Sequence, residues 1–104
     1  MSTGPKPLYV IIHENVVRTR GALKEIQRIK DEEDFVEVTG PSYKVPSGLP
    51  LNRKILVCGG YLELCVCVQC EVLNELGYDA SIYGKATVRL STTSLPSFKP
   101  QNFV

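Results

Sequence analysis

Four cysteines fall between Cys58 and Cys70, and three of them, Cys65, Cys67 and Cys70, read Cys-x-Cys-x2-Cys. Thiols at that density raise two chemistries, nucleophilic attack by a thiolate and metal ligation. Cys65 is the candidate nucleophile. It follows Gly59 by six residues, near the start of a predicted helix. There the positive end of the helix and its unpaired N–H donors favour a thiolate, and a strand-turn-helix corner sets that thiolate beside an oxyanion hole. The plainer alternative is a small buried apolar side chain among several. Metal ligation fits less well. On a helix the three cysteines point in directions of about 0°, 200° and 140°, and a second Cys-x2-Cys knuckle is missing. No metal and no cofactor are expected.

His13 is the one histidine of the chain, and it follows an apolar run, Leu8 to Ile12, together with Glu14 and Asn15. The carboxyl end of a strand is where open α/β sheets bind ligands. His13 and Glu14 are therefore candidate proton acceptors, although a polar residue ending a strand is the plain alternative.

The elements that must position these groups are legible from pattern. Leu8–Ile12 is a continuous apolar run of strand length. Gly21 to Glu33 is an amphipathic helix, with Ala22, Leu23, Ile26 and Ile29 on one face and a solvated charged face opposite. Phe35 to Thr39 alternates apolar and polar as a strand with one face less buried. Gly40 to Arg53 holds three prolines and two glycines and is a long loop, which in a small domain signals a task or mobility.

Then comes the unit that carries the cysteines. Ile55 to Cys58 predicts a strand, stopped by Gly59-Gly60. Tyr61 to Leu76 predicts a helix, apolar nearly all round in its first half and ended by Gly77 as a C-cap. Ala80 to Tyr83 predicts another strand, and Thr87 to Leu90 a short further one. Strand, helix and strand in this order make a βαβ unit. Residues 91–104 lack periodicity and read as a loose tail.

The expected fold is α/β: a three-layer Rossmann-like sandwich, with a mainly parallel sheet of four or five strands and helices on both faces. The 104 residues make one domain over 1–104. A hydrophobic share of 43% and a charged share of 22% are ordinary for a globular protein. A net charge of +1 gives no field that would argue for nucleic acid or an anionic membrane. No apolar stretch reaches spanning length, and the amino-terminal apolar run is too short for a signal peptide, so a cytoplasmic protein with free thiols is expected. So small a sheet leaves apolar surface to cover, which predicts a homodimer or higher oligomer.

From Ile55 to Val88 the chain resembles the carboxyl-terminal half of the isochorismatase-like cysteine hydrolases, which include nicotinamidases and related amidases. The residues that carry the likeness are Gly59, Cys65-Val66, Gly77-Tyr78 and the strand Ala80 to Tyr83, in the family's order and without a gap. The family has a small or hydroxyl residue where this chain has Leu62. It has Thr-Ala at Gln69-Cys70, and Asp-Ala both at Val72-Leu73 and at Lys85-Ala86. Its catalytic set is Asp, Lys and Cys. The aspartate follows the first strand, where this chain reads Ile12-His13-Glu14-Asn15. Lys44, in the loop before the cysteine strand, stands near the place of the lysine.

The resemblance implies a cysteine hydrolase acting on a small amide or ester-like substrate through Cys65. Lys44 would favour the thiolate, and His13 or Glu14 would stand in as proton acceptor. Two other functions fit the same residues: a non-catalytic oligomeric binding or assembly protein of the same fold, and a small sulfur-relay or redox protein using the clustered thiols.

Overall fold

The structure is a computed structural model, and it describes residues 6–88. The tail at 91–104, and the end of the short strand expected to reach Leu90, lie outside the described residues. In chain order the elements are strand β1 (Leu8–Ile12), a 3-10 turn (Glu14–Val16), helix α1 (Arg20–Glu32), strand β2 (Phe35–Val38) and strand β3 (Lys54–Gly60). A π-helical stretch (Leu62–Val66), helix α2 (Cys67–Glu75) and strand β4 (Asp79–Val88) follow. The four strands form one all-parallel sheet in the order β2-β1-β3-β4.

Strand alternation divides the core in two. Leu8, Val10 and Ile12 of β1 join Ile55 and Val57 of β3 against Cys70 and Leu73 of α2. Tyr9, Ile11, Leu56 and Cys58 point the other way, onto Ala22, Ile26 and Ile29 of α1. One helix thus covers each face, which makes the three layers. It also explains why β1 is apolar at every position: both of its faces are buried.

α1 keeps its apolar stripe, except that Leu23 is 41% exposed. Its charged face is less solvated than the pattern suggests. Glu25 accepts hydrogen bonds from Arg28 and, at 2.7 Å, from the Tyr83 hydroxyl of β4. Tyr83 in turn packs edge-on against Tyr9, with ring centroids 5.4 Å apart. This network ties α1 to β1 and β4.

The glycine pair does not stop β3, contrary to the pattern reading. The strand runs through Gly60, and Ile12 still pairs with Gly59. Gly59 has φ 117°, and a Cβ there would overlap the Ile12 carbonyl oxygen. Lacking a side chain, Gly59 lets the two strand ends close on each other instead of breaking the ladder.

β4 is likewise one strand where two short ones are expected. Val57 pairs with Ile82 and Gly59 with Thr87, so Tyr83 to Ala86 bulge out opposite Cys58. The Thr87 hydroxyl closes that bulge on the Tyr83 carbonyl at 2.7 Å.

α2 ends as the sequence predicts. Gly77 has φ 98°, its N–H reaches the Asn74 carbonyl, and the Tyr78 N–H reaches the Leu73 carbonyl, which is a Schellman cap. The Asn74 carboxamide then grips both main-chain groups of Ala80, fixing the start of β4. Among the described residues, no helix is long and apolar enough to cross a membrane.

Candidate functional site

In the strand order β2-β1-β3-β4 the chain leaves β1 toward one side for β2, and the second half of the sheet is built on the other side. The carboxyl ends of β1 and β3 therefore flank the switch point, where an open parallel sheet has its natural crevice. His13 ends β1. Cys65 follows β3. The topology brings these two residues to the same edge of the sheet.

Local backbone sets each side chain. His13 sits in the left-handed region, at φ 51° and ψ 50°. That conformation is uncommon for a residue with a Cβ, and it is held here by bonds on both sides. Its N–H donates to the Val38 carbonyl of β2 at 2.9 Å, and its carbonyl accepts from Val16 at 3.1 Å. Cys65 lies in a helix directly after a central strand, as the spacing predicts, but the first turns are π-helical. The Val66 N–H reaches back to the Tyr61 carbonyl at 3.0 Å. Widened turns of this kind recur at functional sites, because they re-aim side chains that a regular turn would stack. The same stretch leaves Leu64 49% exposed while Leu62 and Val66 are buried, so this half of the helix is not buried all round.

The result is a close pair. His13 Nδ1 lies 3.0 Å from Cys65 Sγ. On the other side of the ring, Nε2 lies 2.6 Å from the carbonyl oxygen of Gly40. A carbonyl can only accept, so Nε2 carries a hydrogen. In the neutral ring Nδ1 then holds the lone pair, aimed at the thiol. Transfer of the thiol proton to Nδ1 leaves a thiolate facing an imidazolium whose other N–H still donates to Gly40. Nucleophile, base and orienting acceptor thus stand in one line. Here the orienting group is a main-chain carbonyl.

The other residues singled out in the sequence stand elsewhere. The Glu14 carboxylate is engaged by Lys30 of α1, which also lies 3.5 Å from Glu37. Those carboxylates hold the Lys30 ammonium above its ordinary range. Glu14 makes no hydrogen bond with Cys65, and of the two acceptors proposed at the end of β1 it is His13 that meets the thiol. Lys44 is exposed, and its ammonium has no hydrogen-bond or ion-pair partner among the described residues. Its carbonyl, however, accepts from the Gln69 carboxamide at 3.1 Å.

Of the remaining thiols Cys58 and Cys70 are buried, and Cys67 is half-buried. Burial pushes Cys58 up to about 12 and Cys70 up to about 11. Burial, aided by the Glu71 carboxylate, raises Cys67 as well. All four cysteines are free, and no group of three or more metal-ligating side chains forms among the described residues.

Two surface cavities open at the carboxyl edge on the β2 side. One, of about 530 Å³, lies between α1 and the ends of β1 and β2, with Leu23 and Glu14 in its wall. The other, of about 230 Å³, is lined by Gly40, Lys44 and Val45.

Sequence reasoning missed two contributors. Gly40 acts through its main chain, which leaves no mark on residue type. Gln69 did leave a signal: it is an amide among apolar residues, one turn beyond Cys65. The fold and the pair define a three-layer α/β protein with a cysteine–histidine pair at its switch point. No family model, curated protein or solved structure matches the chain.

Proposed function

We propose that this chain is an isochorismatase-like cysteine hydrolase acting on a small amide or ester-like substrate, with Cys65 as nucleophile and His13 as general base. The observation that carries the reading is the 3.0 Å contact between His13 Nδ1 and Cys65 Sγ, with Nε2 held by Gly40. His13 takes the thiol proton, and Cys65 Sγ attacks the carbonyl carbon of the substrate. The protonated Nδ1 then gives its proton to the leaving nitrogen or oxygen, and a thioester remains. Water, losing a proton to His13, attacks the thioester carbonyl and releases the acid. The proton returns to Cys65. The Leu64 and Val66 N–H groups are taken by the Tyr61 carbonyl, so an oxyanion would draw on the other leading N–H groups of the helical segment, which have no acceptor one turn back.

Cys58 and Cys70 are buried, and burial together with the Glu71 carboxylate raises the half-buried Cys67, which disfavours the second reactive thiolate that a sulfur relay needs. A homodimer or higher oligomer in the cytoplasm belongs to the same reading. It is supported by β4, a ten-residue strand with a partner on one side only among the described residues. Light scattering on the purified protein tests it.

The test of the function is turnover of small primary amides and activated esters, followed by intact mass. The expected result is an acyl adduct on Cys65 with substrate-dependent product release, both absent from Cys65→Ala. A wild-type protein that forms no adduct with any ester of the panel would leave the non-catalytic binding or assembly role.

A further inference from the structure

The loop between β2 and β3 carries a turn, Pro41 to Lys44, closed by the Lys44 N–H on the Pro41 carbonyl at 3.1 Å. Two side chains clasp this turn through main-chain oxygens at its two ends. His13 Nε2 meets the Gly40 carbonyl at 2.6 Å, and Gln69 Nε2 meets the Lys44 carbonyl at 3.1 Å. Both side chains belong to the site. His13 is the partner of Cys65, and Gln69 stands four residues after Cys65, one helical turn further along the same side.

We infer that Gln69 is a positioning residue for the Cys65–His13 pair: by holding the Lys44 carbonyl it fixes the Pro41–Lys44 turn, and with it the Gly40 carbonyl that sets the His13 tautomer. The inference rests on the cysteine-hydrolase reading for its purpose, though not for its geometry.

Three observations carry it. First, Gln69 is fully buried in the face of α2 that packs on the sheet, yet its Oε1 has no partner among the described residues. An unpaired buried acceptor is costly, and an apolar side chain of the same length would avoid that cost. Stability of the core therefore does not account for the residue. Second, the amide orientation is fixed by its neighbour. A reversed carboxamide would set oxygen against the Lys44 carbonyl oxygen, so Nε2 is the atom that faces the loop. Third, the link from Lys44 to Gly40 is short and stiff. Gly40 directly precedes Pro41, and the proline ring restricts the backbone of the residue before it, so the aim of the Gly40 carbonyl follows the turn. Otherwise the turn is exposed, with Gly40, Pro41, Tyr43 and Lys44 all at the surface. Beyond the turn, Val45 packs on the core and Leu49 is buried in it, so the loop is anchored after Lys44, while the Gly40 end depends on the turn.

The chain has one histidine, so its imidazole nitrogen signals are unambiguous. The tautomer is read by nitrogen-15 NMR at pH 8 in a Cys65→Ala background, where no thiolate holds a second ring proton. The expected spectrum is that of a ring protonated at Nε2. Adding Gln69→Met, which keeps length and lacks a donor, should move the signals toward a mixture of tautomers. The thermal midpoint should stay equal or rise, because the orphaned acceptor is gone. In the single variant Gln69→Met, alkylation of Cys65 at pH 7 should fall at least about fivefold, part of the rate that a positioned base contributes.

A purely structural glutamine would do the reverse, lowering the midpoint and leaving the His13 signals alone, and that result overturns the inference. Should the methionine variant fail to fold, Gln69→Leu is judged by the same two signals. Equal alkylation of Cys65 and Cys67 in the wild-type protein would count against the hydrolase reading instead, and the His13 spectrum would still decide the role of Gln69.

Discussion

His13 and Cys65 are 52 residues apart in the chain, yet His13 Nδ1 and Cys65 Sγ lie 3.0 Å apart. The contact follows from β1 and β3 being neighbours in a parallel sheet. Each residue leaves the carboxyl end of its strand, and the register Ile12 to Gly59 holds those ends level. Gly40 occupies the far side of the ring, so it is Nδ1 that faces the thiol.

If the pair works as described, iodoacetamide at pH 7 should label Cys65 before any other thiol. His13→Ala should slow that labelling by roughly 100-fold, the lower range of general-base contributions. Peptide mapping of the alkylated native protein reads both numbers. Equal labelling of Cys65 in the two proteins would show that the imidazole does not activate the thiol.

Lys44→Ala should change the same rate by less than about fivefold, since the ammonium is exposed and such charges are worth under about 1 kcal/mol. A loss as large as that of His13→Ala would restore lysine to the catalytic set.

Cys58 and Cys70 should resist alkylation until the fold opens. Burial raises the Cys58 thiol from 9.0 to about 12, so the folded state holds this proton more tightly than the unfolded one. Its stabilising effect is complete below pH 9.0 and is lost as pH rises toward about 12. Urea midpoints should therefore fall over that alkaline range, and Cys58→Ala should show a shallower decline. Identical slopes in the two proteins would mean that Cys58 is not a linked group.

Glu25 gives the acid-side counterpart. Hydrogen bonds from Arg28, and from Tyr83 to a lesser degree, hold its carboxyl below the ordinary 4.5, with burial opposing them. Stability from this group is present above 4.5 and is lost as pH falls through the lower, folded value. Glu25→Gln should cost about 1–2 kcal/mol at pH 7 through weakened charged hydrogen bonds. It should also flatten the decline of the urea midpoint between pH 5 and 3. A variant that still loses stability as steeply would assign the acid transition to another carboxylate.

Gly59→Ala should destabilise the fold by about 3 kcal/mol, at the upper end of the cost of one strained residue. The new Cβ would have to tolerate φ 117° and displace the Ile12 carbonyl. Gly77→Ala also meets a positive φ, but in open space, and should cost about 1 kcal/mol. Urea unfolding of the two variants side by side checks the order; equal losses would mean that the closure of β3 on β1 is not tight.

Much of this protein is written in the order of its residue types. Apolar runs flanked by glycine and charge gave β1, α1, the cysteine-bearing βαβ unit and the α2 cap, because strand and helix periodicity and cap chemistry are local. Cys65 and His13 were visible as candidates for the same reason: each follows an apolar run that reads as a strand. Their contact was not visible, since only the sheet order β2-β1-β3-β4 sets the ends of β1 and β3 side by side. The continuation of β3 through Gly59-Gly60 was misread, because a glycine pair signals a turn unless a neighbouring backbone needs the missing side chains. The choice between His13 and Glu14 was also tertiary: α1 brings Lys30 to Glu14, and Gly40 comes to the imidazole. Gly40 contributes a main-chain oxygen that every residue type possesses, so no sequence pattern could mark it. Residue order set the elements and the reactive groups, while packing of the elements decided which of those groups touch.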